Sequence, residues 1–296
     1  MFIIDKIILG DNQFFGINHM SQEKAQQLSE KFHDISSIIR VYETAYDIGI
    51  KAFMLNSNDR AKEICEYFLL NGEKYPDIHW YPSIPYPHKY ANSISERGII
   101  PTIYEMVFKN NSAKNAYDAI TKGSIGVFTK DYIKLMQLLV DAEMKMFHGL
   151  NYRVIFLQNI ITDLILGYGI KEIFQEYCDY IRLKYKVIPG LITQNMPRLK
   201  ERLDEWGITE VVICSSFNKL GYLMSPDVDS YIRAAKNNNP EKYILMAMST
   251  LASGAILPKD AYDFINEQNI QSVVFGASTR AHISDTISLI KLQSHL

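Results

Sequence analysis

The sequence predicts a closed (β/α)8 barrel, and three observations carry that expectation. Short apolar, β-rich runs recur along the 296 residues. A segment with helical spacing follows each of them. The runs are nearly continuous in apolar residues rather than alternating, as parallel strands buried on both faces require. An open, doubly wound sheet is the alternative. A series of similarly built units in one chain favours closure into a single domain over residues 1–296.

The first run, "KIILG" (6–10), leads into Asp11, Asn12 and Gln13. In "ISSIIRVYETAYDIG", Ile35, Ile38, Ile39, Tyr42, Ala45 and Tyr46 fall on one stripe of a helix. The second strand, "IKAFML" (50–55), breaks without Gly or Pro into Asn56, Ser57, Asn58, Asp59 and Arg60. The third, "IHWYPSI" (78–84), precedes Tyr86 and His88. Residues 85–151 then form a connection too long for one helix, ending in the apolar stretch "KDYIKLMQLLVDAEMKMFHG". Connections of this size are usually functional or interaction elements. This insertion could pack on the barrel as an enlarged helix, serve as a lid, or join two copies of the chain in a homo-oligomer.

The fourth strand, "YRVIFLQ" (152–158), delivers Gln158 and Asn159, and "IKEIFQEYCDYIRLKY" follows with helical spacing. The fifth, "VIPGLIT" (187–193), ends before Gln194 and Asn195. Pro197 near the start of the next segment and Gly207 at its close mark the two ends of a helix. "EVVICSS" (210–216), "YILMAM" (243–248) and "QSVVFGA" (271–277) complete the set.

Composition narrows the function classes. Hydrophobic content of 47% with 22% charged residues supports a sizeable buried core. A net charge of -2 with scattered basic residues gives no footprint for nucleic acid or an anionic membrane. Cys65, Cys178 and Cys214 form no CxxC pair, so neither a disulfide framework nor a zinc ribbon is indicated, and a reducing cytoplasm fits. The opening stretch places Asp5 and Lys6 among its apolar residues, unlike a secretory leader. No apolar run reaches transmembrane length.

In a barrel of this kind the site lies at the C-terminal ends of the strands. Those ends bring amides to the mouth: Asn12, Gln13, Asn56, Asn58, Gln158, Asn159, Asn195 and Asn218. Amides both donate and accept hydrogen bonds, which suits an uncharged polyhydroxy or carbonyl ligand. Strand ends are also polar because turns and caps need such residues, so part of this set serves the backbone. The groups able to move a proton are Asp11, Asp59, Tyr86, His88 and Lys219, the last also a candidate Schiff-base amine. No HExxH or His-x-His occurs, so no metal site is expected. Cys214, inside a strand, reads as core.

The later strands resemble those of the aldo/keto reductases. "YILMAMSTLASGAILPKDAYDF" is similar to their seventh strand and its loop, with Ser249, Leu251, Gly254 and Leu257 matching and Thr250 in place of a proline. "SVVFGASTRAHISDTISLI" resembles their eighth strand and following helix, and "VVICSSFN" and "GLITQNMPRLKERL" resemble their sixth and fifth. The likeness implies NAD(P) as cofactor, with Gln194 toward the nicotinamide, Ser249, Leu251 and Gly254 toward the pyrophosphate, and Ser278, Thr279 and Arg280 toward the adenosine end. The departures are equally specific. Leu55 and Asn56 stand where the family's catalytic aspartate belongs, no tyrosine follows in the short turn, no lysine ends the third strand, and Gln158 replaces the histidine. Cys214 takes the place of a nicotinamide-contacting glutamine, Gly276 that of a phosphate-binding lysine, and His282 that of an arginine.

Three functions follow as expectations. The first is a redox enzyme for a small polar, sugar-like carbonyl compound, with Tyr86 or His88 replacing the missing tyrosine. The second is a lyase or isomerase using Asp11, Asp59, His88 or Lys219. The third is a non-catalytic binding or assembly protein that kept the barrel.

Overall fold

The computed structural model describes residues 3–15, 27–28, 30–86 and 125–292. Its strands are β1 (Ile7–Leu9), β2 (Ala52–Asn56), β3 (His79–Ile84), β4 (Val154–Leu157), β5 (Ile188–Thr193), β6 (Val211–Ser216), β7 (Tyr243–Met248) and β8 (Ser272–Phe275). They close in chain order into one parallel barrel, with Ile8 opposite Val274 where the last strand meets the first. The expected (β/α)8 architecture is therefore the observed one. Each strand lies within the run that the sequence marks or one residue from it, because a strand buried on both faces shows as an unbroken apolar run.

The helices are α1 (Ile35–Asp47), α2 (Ala61–Leu70), α3 (Ile125–Met144), α4 (Asn159–Tyr168), α5 (Lys171–Tyr180), α6 (Met196–Trp206), α7 (Val228–Lys236), α8 (Pro258–Asn266) and α9 (Arg280–Leu289). The stripe on α1 buries Ile38, Ile39, Tyr42 and Ala45, and Asp34 caps the helix by accepting from Ser36 N at 3.2 Å. Helix α6 starts on Asn195 and stops at Gly207, whose φ of 71° is the left-handed geometry that glycine adopts without strain. Between β4 and β5 the sequence reading expects one helix; the chain forms two, α4 and α5, because Gly169 turns left-handed and ends the first. Much of the insertion, with His88, lies outside the described residues.

Two apolar layers fill the molecule. The large one lies between the barrel and its helices. The small one fills the barrel itself with the inward residues Ile8, Ala52, Met54, Tyr81, Val154, Phe156, Ile192, Val212, Cys214, Ile244, Met246 and Val274. Gly190 also faces inward, and a Cβ there would overlap the Phe156 ring, so the missing side chain makes room for that ring. At the N-terminal end, Asp5 accepts from the Tyr81 hydroxyl, lies 3.7 Å from Arg153 Nη1, and is 3.2 Å from His79 Nδ1. Arg153 Nη2 is 2.8 Å from His79 Nε2. A guanidinium only donates, so Nε2 accepts and the ring proton sits on Nδ1, facing Asp5.

Candidate functional site

Asp11 leaves β1 at the mouth and is 2% exposed. Its Oδ1 accepts from Asn56 Nδ2 at 2.5 Å, and its Oδ2 from Asn56 N at 2.8 Å and Asn58 Nδ2 at 3.3 Å. These donors come from one turn. Asn56 is the last residue of β2, and Asn58 N folds back onto Asn56 O at 2.8 Å. Gln158 Nε2 donates to Asn56 Oδ1 and, at 2.6 Å, to Ser83 Oγ at the end of β3. Donation therefore runs from Gln158 through Asn56 into Asp11. No cation is among these partners. Burial pushes the Asp11 carboxyl up to about 7, against the hydrogen bonds from Asn56 N and its side-chain amide.

Two phenols feel the charge of this carboxyl. Tyr86 is pushed up to about 12 by burial first, and then by the charges of Asp11 and Asp59. Tyr42, from α1, is held well above its ordinary value by burial and then by Asp11, and its hydroxyl has no hydrogen-bond partner among the described residues.

The expected site residues divide into those the mouth assembles and those the backbone uses. Asp11, Asn56, Asn58 and Gln158 form the network above, and the exposed Asn12 reaches it through Asn56 Nδ2 at 3.5 Å. Gln13 folds toward the first and eighth strands, donating to Gly10 O at 2.7 Å and Ala277 O at 3.4 Å, and its Oε1 is buried without a partner among the described residues. Gln158 is the residue before α4, yet its side chain makes no capping bond, so it is free for the mouth.

Other expected residues make their contacts away from this network. Asn218 donates to Tyr222 O and Ser249 O and accepts from Leu220 N and Tyr222 N, so both ends of its amide hold its own loop. Asn195 caps α6 by accepting from Arg198 N at 3.2 Å. Asn159 is the half-buried first residue of α4. Lys219 is a surface residue paired with Asp260 at 3.2 Å. Asp59 is exposed and acts on the site through its field at Tyr86.

Among the residues expected at a cofactor, Thr279 caps α9 through His282 N, and Ser278 accepts from Lys31 Nζ at 3.2 Å. Arg280 is exposed beside them. Gln194 is half-buried, its N–H donating to Asp163 Oδ2 at 2.9 Å. The loop after β7 takes left-handed backbone at Ser249, Ala252, Ser253 and Gly254, with Leu251 half-buried inside it. Ser216 ends β6 on the inward face shared with Val212 and Cys214, and its Oγ is buried without a partner among the described residues. No cluster of three or more His, Cys, Asp or Glu gathers among the described residues. None of their helices is long and apolar enough to cross a membrane.

A cavity of about 260 Å³ lies at the opposite end of the barrel, lined by Asp5, Lys6, Ile7, Ile50 and Lys51 among others. The convergent polar groups and the carboxyl raised toward neutrality are at the mouth, and that combination marks the candidate site. One residue that sequence reasoning missed is Glu143 on α3, which is buried and accepts from Ser57 Oγ. Its signal was an acid one turn from Val140 and Phe147, on the apolar face of its helix.

No protein-family model matches the sequence, and no curated protein does. Solved structures do match. A Pseudomonas aeruginosa protein assigned to the aldo-keto reductases aligns at TM-score 0.60 and 11% identity, over 97% of this chain and 89% of that one. An aldo-keto reductase from a Medee basin deep-sea metagenome library aligns at 0.58 and 10%, over 99% and 89%. One from the silkworm, Bombyx mori, aligns at 0.57 and 10%, over 97% and 79%. At these identities the likeness is one of fold, and it runs nearly the full length of the chain.

Proposed function

On the scaffold of an aldo-keto reductase barrel, we propose that this chain is an oxidoreductase for a small polar, sugar-like carbonyl compound, with Asp11 as the proton donor. The observation that carries the reading is the Asp11 carboxyl, buried at the mouth among amide donors and raised to about 7. A catalytic acid works best when its pKa lies near the working pH. Gln158, joined to it through Asn56, would orient the hydroxyls of such a substrate through its side-chain carbonyl.

The cofactor in this reading is a nicotinamide dinucleotide, which supplies hydride when bound. Ser216 supports the fit, since its buried, unpartnered hydroxyl faces the barrel mouth and can meet a polar group there. Gln194 would lie toward the nicotinamide, the left-handed loop Ser249–Gly254 toward the pyrophosphate, and Ser278, Thr279 and Arg280, with Lys31, toward the adenosine end. A second reading, proton transfer without redox, is favoured by the same carboxyl, because a group near neutrality serves as base as well as acid.

Two measurements test the proposal. NADPH or NADH should raise the melting temperature, by the equivalent of about 2.7 kcal/mol at a hundredfold excess over Kd. Reduction of hydroxylated aldehydes such as glyceraldehyde should then slow as pH rises through about 7, where Asp11 loses its proton. Binding of neither nucleotide would sink the redox reading and leave the second.

A further inference from the structure

The turn that holds Asp11 is itself held from outside the barrel. Ser57 lies between Asn56 and Asn58, the two residues that donate to Asp11, and is fully buried. Its N–H donates to Ser83 O at 3.2 Å. Its hydroxyl donates to Glu143 Oε2 and accepts from Tyr86 N at 3.0 Å. A hydroxyl has one proton, so giving it to Glu143 leaves the oxygen lone pairs for the Tyr86 amide. Three segments thus meet on one oxygen: the turn after β2, the chain after β3 at Tyr86, and helix α3. Glu143 is 4% exposed, so its hydrogen bond with Ser57 is made away from solvent.

We propose that Glu143 is a positioning residue for the mouth: through Ser57 it holds the Asn56–Asn58 turn and the Tyr86 backbone against Asp11. The inference rests on Asp11 being the acid of the site. Without the Glu143 acceptor, the Ser57 hydroxyl turns to another partner and releases Tyr86 N. The turn then loses its outer anchor, and the amides of Asn56 and Asn58 no longer meet Asp11 together. Those amides favour the ionised carboxyl, so loosening them leaves burial less opposed.

The experiment is an NMR titration of the Asp11 side-chain carboxyl in the full chain, with melting temperature recorded alongside. Glu143→Leu and Ser57→Ala should each move the Asp11 midpoint upward by about one pH unit, a tenfold change in proton affinity. Glu143→Gln keeps an acceptor oxygen and should leave the midpoint where it is. The double variant Ser57→Ala, Glu143→Leu should shift no further than Ser57→Ala alone. Destabilisation alone does not predict that pattern. A folded Ser57→Ala protein whose Asp11 midpoint is unchanged, or lower, overturns the positioning role, and this smaller change decides the matter if Glu143→Leu does not fold. The shift between variant and wild type reads Glu143, whereas the wild-type midpoint reads Asp11. A wild-type value in the ordinary carboxylate range would remove the acid from the proposed function.

Discussion

Strand β1 has an aspartate beyond each end, and the two carboxyls live in opposite electrical surroundings. Asp5, at the N-terminal end, has Arg153 within 3.7 Å, His79 at 3.2 Å and the Tyr81 hydroxyl as a donor. Asp11, at the mouth, has only amides as side-chain partners among the described residues and is more deeply buried. A carboxylate with a cation beside it ties strands together. One that is buried with neutral donors is poised between its two forms, and pays for that in stability once it ionises. The same residue type therefore serves as a fastener at one end of the strand and as a candidate acid at the other.

Replacing Asp11 tests the contrast most severely. Asp11→Asn should lower turnover by about a hundred- to ten-thousandfold, the usual worth of a positioned proton donor. A variant that keeps its rate would show Asp11 to be another structural aspartate.

The next effect is on stability against pH. The unfolded carboxyl titrates near 3.8 and the folded one near 7, so between those values the folded chain holds a proton that the unfolded chain has released. The Asp11 contribution is thus fully present below about 3.8 and is lost as pH rises through about 7. Its size is on the order of 4 kcal/mol. Denaturant titrations of wild type and Asp11→Asn should diverge across that window, and parallel curves would mean that the group is not buried.

Gln158→Leu sharpens the account of the mouth. The change leaves the buried Asn56 and Ser83 without their amide partner, so it should lower the melting temperature and also weaken substrate binding by roughly 1–3 kcal/mol. Unchanged affinity in a destabilised protein would make Gln158 structural. The smallest effect belongs to the other end. Arg153→Met removes a half-exposed cation from Asp5 and the donor to His79 Nε2. It should cost about 1 kcal/mol of stability and leave turnover untouched. Loss of activity in that variant would break the division of labour between the two aspartates.

Much of the architecture was legible in the sequence, because a doubly buried strand announces itself as an apolar run and its end as an abrupt polar break. That break located Asn56 and Gln158. It could not separate them from Asn218, which follows the same kind of run but turns both ends of its amide onto its own loop. Nor could it rank the two aspartates. Asp5 and Asp11 both flank "KIILG", and what distinguishes them arrives from β3 and from the start of β4, far along the chain. Glu143 was hidden for the same reason. Its partner Ser57 is on another element, and a single acid in a helix looks solvated until the packing is known.

The Phe156 ring in the space vacated at Gly190 lies between these two ends. With the small inner layer it stoppers the barrel, so among the described residues apolar side chains separate the cluster below from the network above. A dry plug of this kind gives a proton no polar relay, so proton exchange at the mouth has no route through this layer to the cluster around Asp5.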